Sequence, residues 1–379
     1  MLEVDIFVSG VGITPFGKHN ESSLKELMLK AARDALNDAG HPKIDAVIVG
    51  NFMGGAITNQ EILGSMLVND LGLGYIPALK VEGACASGGI AIRQAVIGIL
   101  SGAYENVLVV GGEKMKHAST EVVTQAINAA MDNSSSEKNA GLTFPGFFGL
   151  LANRYMYESG ATKEHLANVV LQNRSYAVNN PLAQFQKPTT LEEVMQAKQI
   201  TNPLGLFDCS PITDGAASVV LSKNPSPIKI RASVQVSGPT NIQDLDSVLQ
   251  IPAIIESGKL AYEQAALGPS DIDVVEVHDC FSITELLAIE GLGFSNRLEA
   301  WKFIQEGHAG LNGKTPINTS GGLLSRGHPI GATGVAQFIQ IVLQLRGQAF
   351  NQVEHARIGM AQNLGGTGAY SVVHVLERV

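Results

Sequence analysis

The sequence contains 379 residues, of which 45% are hydrophobic, and carries a formal net charge of −9 with a pI near 5.5. This length and apolar content predict a folded protein with room for two core-forming domains, and they exclude a disordered chain. The acidic balance disfavours a general nucleic-acid-binding role, which usually requires a basic face or stripe.

The cysteine pattern and the start of the chain indicate the compartment. Cys85, Cys209 and Cys280 form no CxxC pair and have no histidines at zinc-ligand spacing, which favours free thiols and no bound metal. No apolar run approaches the ~20 residues that span a bilayer. The segment "MLEVDIFVSG" has acidic residues where a secretory signal has a basic start. We therefore expect a cytoplasmic protein without a membrane span.

The chain contains the same succession of predicted elements twice. Residues 31–52 and 261–281 each predict an amphipathic helix that ends near a glycine, then an acidic loop and an apolar strand. Residues 85–102 and 328–347 each predict a small-residue turn followed by an apolar helix that ends at a glycine. Such alternation indicates mainly parallel or mixed sheets with helices on both faces. We expect two duplicated halves.

The pattern changes between about residues 115 and 215, where segments rich in Asn, Ser, Gln and Pro replace the strand and helix alternation. The strand pattern returns at "GAASVVLS". We interpret the interval as an insertion of helices and loops from the first half that forms a lid or a substrate-facing subdomain.

Cys85 is the first candidate for chemistry. In "VEGACASGGIAI" it follows a predicted strand and lies at the start of a helix, where free N–H groups and the helix dipole favour a thiolate. A lone cysteine is more often a core residue. Lowering a thiol pKa from ~8.5 to ~6.5 requires about 2.7 kcal/mol, whereas a helix terminus supplies about 0.3–1 kcal/mol. A catalytic Cys85 therefore needs a partner.

Two histidine-containing segments of the second half supply candidate partners. His328 in "SRGHPIGATG" begins the helix that corresponds to the one after Cys85, so packing about a pseudo-twofold axis would bring the two residues together. The segment "VVEVHDCFS" ends an apolar strand with His278, Asp279 and Cys280, and open α/β sheets place their sites at such ends. Each residue alone could serve packing, but their mirrored contexts favour a shared site.

Four motifs together resemble the thiolase superfamily: "GACASGG", "EVHDCFS", "GHPIGATG" and "QNLGGTG". They cover both halves in the family's order, and "NPLGLFDCSPITDGAASVVL" is similar to the loop that closes the first half in thiolases. The resemblance implies an α/β protein with a five-layered α/β/α/β/α fold, two duplicated halves and an inserted loop domain. The N-terminal half would comprise residues 1–114 and 206–225, the inserted loop domain 115–205, and the C-terminal half 226–379.

The resemblance also implies roles for the catalytic residues. Cys85 would be the nucleophile and His328 the group that activates it. Two-cysteine thiolases carry an acid/base cysteine in a C-terminal CxG motif, but Asn363 occupies that position here. Cys280 of the HDCF motif would replace it, as in sterol-carrier-protein-type and many archaeal or bacterial thiolases.

The resemblance to thiolases also implies contacts to the oxyanion and to the substrate. His278 and His328 would donate to the thioester oxygen in one oxyanion site, and the backbone N–H groups of Cys85 and Gly365 would form the other. Ser210 lies where thiolases approach the coenzyme A chain.

The implied reaction is acyl transfer that forms or cleaves a 3-ketoacyl-CoA, such as acetoacetyl-CoA, through an acyl-cysteine. Coenzyme A and acyl-CoA would be substrates, and no other cofactor is expected. A homodimer or a dimer of dimers is expected, and an OB-fold, zinc-ribbon protein or a hydroxymethylglutaryl-CoA synthase is a candidate partner. Two alternatives remain: acyl transfer to an acceptor other than coenzyme A, and a catalytically silent binding protein with the same fold.

Overall fold

Nine strands form the sheet of the computed structural model, which describes residue 2 and residues 4–379. Within that part of the chain the strand order is β3-β2-β4-β5-β1-β6-β9-β8-β7. The strands are β1 Phe7–Ile13, β2 Ala46–Gly50, β3 Ala78–Val81, β4 Asn106–Glu113, β5 Gly215–Ser222, β6 Ile228–Ser237, β7 Val274–Glu276, β8 Ile358–Gly365 and β9 Tyr370–Arg378.

The strand pairing repeats between the two halves. In the first half β2 runs parallel to β4, and β4–β5 and β5–β1 are antiparallel. In the second half β7 runs parallel to β8, and β8–β9 and β9–β6 are antiparallel. The order is continuous, but its two parts, β3-β2-β4-β5-β1 (the first sheet) and β6-β9-β8-β7 (the second sheet), are joined by a single residue pair, Phe7 of β1 and Lys229 of β6. The duplication predicted from the sequence is therefore present in the topology.

The helices complete the layers. They are α1 Leu24–Asp38, α2 Gly54–Thr58, α3 Leu63–Asp70, α4 Ser87–Leu100, α5 Thr120–Ile127, α6 Ser136–Asn139, α7 Phe144–Ser159, α8 Lys163–Ala177, α9 Leu191–Gln196, α10 Pro252–Ala265, α11 Ser282–Gly291, α12 Ala300–Gln305 and α13 Ile330–Arg346. Helix α1 packs on the outer face of the first sheet and α10 on that of the second. Helices α4 and α13 contact both sheets, so the predicted five-layered α/β/α/β/α order is confirmed.

The central helices are apolar on nearly all sides because they are enclosed. Apart from Leu343 and Arg346, the side chains of α13 are buried, and only a helix inside a core tolerates such a composition. Both helices end as the sequence predicts, at glycines with positive φ: Gly102 just after α4, and Gly347 at the end of α13. In the described part of the chain no helix is long and apolar enough to cross a membrane.

The segment between β4 and β5 folds over the second half, although the chain enters and leaves it from the first. Helix α7 packs against α11, and α8 packs against α11 and α12, in one apolar cluster with residues of β7 and β8. This placement brings the insertion next to the HDCF motif. The division into three units at residues 114, 205 and 225 stays a prediction.

Glycines permit the close approach of α4 and α13. A Cβ added at Gly88 would lie 2.9 Å from the carbonyl oxygen of Gly331 and 2.9 Å from the backbone nitrogen of Val335. A Cβ added at Gly334 would collide with the backbone nitrogen of Gly89 and with the Asn363 side chain. The starts of both helices therefore meet backbone to backbone, next to Cys85 and His328.

We predict that Gly334→Ala lowers the free energy of unfolding by about 1–3 kcal/mol, because the added methyl group meets backbone that cannot move aside cheaply. Gly17→Ala is the matched control, since a Cβ there meets no atom within 4 Å. Urea unfolding of both variants tests the expectation. Equal stability of Gly334→Ala and the wild type would contradict this account of the helix contact.

Candidate active site

Cys85 lies in a tight 3₁₀ turn, Ala84–Ala86, between β3 and α4. Ala84 has a φ of +51°, an unfavourable value for a residue with a Cβ. The Ser87 hydroxyl holds this turn because it donates to the Ala84 carbonyl at 2.6 Å and accepts from Gly83 N–H at 3.1 Å. The turn is therefore fixed by local hydrogen bonds, and Cys85 is buried within it.

Cys85 meets two histidines from the second half. The Cys85 sulfur and one ring nitrogen each of His278 and His328 lie within 4.8 Å of one another, and all three residues are buried. The imidazole centroids are 5.1 Å apart with the rings at 84°. His278 follows β7, and His328 precedes α13. The convergence of His328 on Cys85 at facing helix starts, which the sequence predicted, is present.

Asn363 determines which nitrogen of His278 carries the proton. Its Oδ1 accepts from Gly89 N–H at 3.2 Å and its Nδ2 donates to the Cys85 carbonyl at 3.0 Å, which fixes the orientation of the amide. The same Nδ2 lies 3.1 Å from Nδ1 of His278. Nδ1 therefore accepts, and the ring proton of neutral His278 is on Nε2.

Thr333 gives His328 the opposite tautomer. The Thr333 hydroxyl oxygen lies 3.0 Å from the Pro329 carbonyl oxygen and 2.6 Å from Nδ1 of His328. We assign its single proton to the carbonyl, so that it accepts from Nδ1 of His328. Nε2 of His328 is left with a free lone pair. The pocket thus contains one histidine that donates from Nε2 and one that accepts there.

Burial keeps the central groups uncharged. Burial raises the pKa of the Cys85 thiol to about 12, against a smaller lowering by the Gly366 N–H that points at the sulfur, and the nearby Glu113 carboxylate raises it further. Burial lowers the pKa of His328 to about 3, and it lowers the pKa of His278 well below its ordinary value. The backbone N–H of Cys85, at the helix start, lowers the pKa of the thiol, as the sequence predicts, but the loss of water outweighs it, so the resting group is a thiol.

Cys280 lies beside this group, after β7 and before α11. Its sulfur is 3.8 Å from the Thr284 hydroxyl oxygen. Burial raises the pKa of the Cys280 thiol well above its ordinary value, and the neighbouring Cys85 sulfur adds to the effect. The carbonyl of Cys280 accepts from Ser210 N–H at 2.9 Å, which places Ser210 next to the HDCF motif. The Cys209 thiol does not join this group and instead donates to the Gly205 carbonyl oxygen at 3.4 Å.

Gly365 ends β8 against the Cys85 turn, where a Cβ would lie 2.9 Å from that of Ala86. The N–H that points at the Cys85 sulfur belongs to the next residue, Gly366. Sequence reasoning missed Gly366, and it also missed Thr333 and the orienting role of Asn363.

Glu113, at the end of β4, was missed as well. It is a polar residue that ends an apolar strand, the same signal that identified His278 in "VVEVHDCFS".

The sulfur of Cys85 and the ring nitrogens of His278 and His328 resemble the ligands of a zinc site, but their protonation differs from that of bound ligands. Cysteine and histidine are typical Zn²⁺ ligands, yet metal binding requires a thiolate and a free imidazole lone pair. Nδ1 of His278 is engaged by Asn363 and its Nε2 carries a proton, and the Cys85 thiol is neutral. A metal ion here would have to displace the protons of Cys85 and of His278 Nε2, whereas Cys85 and His328 can exchange a proton as they stand.

Comparisons with known proteins agree with this chemistry. The chain matches family models described as "Thiolase, N-terminal domain" over residues 6–225 and "Thiolase C-terminal domain-like" over residues 235–378. It is 42% identical to an acetyl-CoA acetyltransferase of Methanothermobacter thermautotrophicus, covering 99% of this chain and 100% of that protein. It is 36% identical to the benzoylsuccinyl-CoA thiolase subunit BbsB of Thauera aromatica, covering 96% of each.

A solved structure of an "Ltp2-ChsH2(DUF35) aldolase" superimposes with a TM-score of 0.86 at 27% identity, covering 100% of this chain and 99% of that one. Both halves of the sequence, the layer order and the cysteine–histidine centre thus indicate one family. The chain belongs to the thiolase family and is a thiolase-type acyltransferase.

Proposed function

We propose that this protein forms or cleaves 3-ketoacyl-CoA, with acetoacetyl-CoA as a substrate, through an acyl group held on Cys85. The observation that carries the proposal is the convergence of the Cys85 sulfur with His278 and His328, whose hydrogen bonds assign opposite tautomers to the two rings. The similarity to an acetyl-CoA acetyltransferase at 42% identity supports acetyl transfer.

In the acylation step, the Cys85 sulfur attacks the thioester carbonyl of an acyl-CoA while its proton passes to Nε2 of His328. A neutral thiol and a neutral imidazole are the starting pair, so the base is ready without a preformed thiolate. The backbone N–H groups of Cys85 and Gly365, together with that of Gly366, would stabilise the oxyanion.

Proton balance assigns the next role to Cys280. The departing coenzyme A sulfur is a thiolate, and it takes the proton of the buried Cys280 thiol. The acyl-enzyme then contains a Cys280 thiolate and a His328 imidazolium, so His278 and His328 both donate from Nε2 to the thioester oxygen of the second substrate. Cys280 removes the α-proton, the carbon attacks the acyl group, and the released Cys85 sulfur regains its proton from His328.

Substrate and setting follow from the same proposal. Coenzyme A and acyl-CoA act as substrates, with Ser210 near the coenzyme A chain, and we propose no resident cofactor. We further propose a cytoplasmic location and a role in lipid metabolism. Acyl transfer to an acceptor other than coenzyme A is the second candidate, since the acyl-Cys85 thioester could be attacked by another nucleophile.

A partner protein is also proposed. One relative is named as a thiolase subunit, and the name of one structural neighbour includes a second component, ChsH2(DUF35). These names support a complex for this chain, with an OB-fold, zinc-ribbon protein or a hydroxymethylglutaryl-CoA synthase as the partner.

We propose that β3 mediates self-association. It is the edge strand of the first sheet, and among the described residues no other strand pairs with its outer side. Leu79 is 41% exposed there, and Ile62 and Tyr75 are more exposed still. An isologous pairing of two β3 strands would extend the sheet and cover these side chains.

Light scattering tests this proposal. We expect a particle of twice the chain mass of 40.0 kDa, or four times for a dimer of dimers, and a shift towards 40.0 kDa for Leu79→Lys. Leu150→Lys is the control, since Leu150 is 53% exposed on α7, away from β3. A wild-type particle of 40.0 kDa would end the dimer proposal.

Two cysteine variants test the proposed reaction. Cys85→Ala should give no acetyl adduct with acetyl-CoA in intact-protein mass spectrometry. Cys280→Ala should still form the adduct, because coenzyme A can leave as a thiolate without that proton. It should lose turnover of acetoacetyl-CoA and coenzyme A by ~100-fold or more, because no group then exchanges the α-proton. Cys209→Ala should retain both properties. Normal acetylation of Cys85→Ala would refute the assignment of the nucleophile.

A further inference from the structure

His328 lies in a short segment whose two ends are held by buried carboxylates. A π-helical turn, Gly322–Arg326, precedes the segment, and α13 begins after it at Ile330. Asp279 binds the turn on one side, and Glu113 binds the first residues of α13 on the other. Neither carboxylate belongs to the group of atoms around the Cys85 sulfur.

Asp279 binds two successive amides of the turn. Its Oδ1 accepts from Leu323 N–H at 2.7 Å, and its Oδ2 accepts from Leu324 N–H at 3.1 Å and from Nδ2 of Asn173 at 2.9 Å. Gly322 has a φ of +56°, and a Cβ there would collide with the carboxylate. Asp279 is the residue after His278. Its hydrogen bonds to Leu323 and Leu324 therefore link the backbone at His278 to the segment that contains His328.

Glu113 binds the other end from the opposite half of the molecule. Its Oε2 accepts from Gly331 N–H at 3.1 Å and from Phe52 N–H at 3.0 Å. Its Oε1 accepts from Nδ2 of Asn51 at 2.8 Å and from Met53 N–H at 3.1 Å. One side chain thus joins the end of β4, the start of α2 and the start of α13.

The carboxylates of Glu113 and Asp279 are suited to fix the backbone on either side of His328. Each of their oxygens accepts from N–H donors, and burial makes each such bond expensive to lose. An amide substituted for either carboxylate would present an NH₂ group to an N–H donor. The substitution removes a bond to the His328 segment while changing side-chain volume little.

We propose that Glu113 and Asp279 are positioning residues that set the place of the His328 ring against the Cys85 sulfur. They act through the backbone on either side of His328. The inference rests on the proposed function, because it assumes that transfer of the Cys85 proton to His328 limits acylation. Displacement of a reacting group by about 1 Å can cost ~100-fold in rate.

The test compares Glu113→Gln and Asp279→Asn with Glu290→Gln. Glu290 is the matched control because its carboxylate also accepts from a backbone N–H, that of Ala300, at 3.1 Å, but lies on α11 away from His328. We expect both positioning variants to lower kcat for acetoacetyl-CoA cleavage by ~10- to 100-fold with little change in KM. We also expect slower alkylation of Cys85 by iodoacetamide in Asp279→Asn, a readout that requires no acyl-CoA. In Glu113→Gln the loss of a nearby negative charge lowers the pKa of the Cys85 thiol and acts in the opposite direction, so kcat is the readout for that variant.

The outcomes separate this inference from the proposed function. A folded Glu113→Gln protein with the kcat of Glu290→Gln, together with a folded Asp279→Asn protein with both the kcat and the Cys85 alkylation rate of Glu290→Gln, would overturn it. A wild-type protein that is alkylated at Cys85 but never acylated by an acyl-CoA would instead refute the proposed function. If either amide variant fails to fold, Asn51→Ala and Asn173→Ala decide, because they remove one donor from Glu113 and one from Asp279 and leave both carboxyl groups in place. Unchanged alkylation in both variants would overturn the inference.

Discussion

The amide of Asn363 is the interaction on which the rest of the site depends. It binds the start of α4 and the carbonyl of Cys85, which lie 274 and 278 residues before it in the chain, and the ring of His278. One amide thus connects groups from both halves. Its orientation is fixed by a donor and an acceptor that cannot exchange roles. As a result His278 donates into the pocket, while Thr333 leaves His328 free to accept there. The pseudo-twofold arrangement brings the two rings together, and Asn363 and Thr333 make them chemically different.

Exclusion of water determines the charge state of the resting site. A helix terminus supplies about 0.3–1 kcal/mol towards a thiolate, and burial around Cys85 acts in the opposite direction and prevails. In the resting site the proton is therefore on the Cys85 sulfur, and the lone pair that can accept it is on Nε2 of His328. Charge appears only when a thioester carbonyl is present to accept the new bond and nearby N–H groups can stabilise the oxyanion. This arrangement limits reaction of the thiol in the absence of substrate.

Local sequence patterns identified the duplicated halves and the segments that contain Cys85, His278, Cys280 and His328, because each segment ends a strand or begins a helix with groups that packing does not require. The roles of these residues in catalysis stay predictions. Hydrogen bonds between residues distant in the chain could not be predicted from the local sequence. Nothing near Asn363 in "QNLGGTG" indicates that its amide binds Cys85, and the resting thiol depends on burial by elements distant in the chain. The folding of the insertion onto the second half is likewise decided by tertiary packing.

The opposite tautomers of the two histidines can be observed directly by ¹⁵N nuclear magnetic resonance of histidine-labelled protein at pH 6, with His278→Ala and His328→Ala used to assign the signals. We expect two neutral rings, with the proton of His278 on Nε2 and that of His328 on Nδ1. A protonated imidazolium for either ring in the free protein, or a proton on Nε2 of His328, would contradict this assignment.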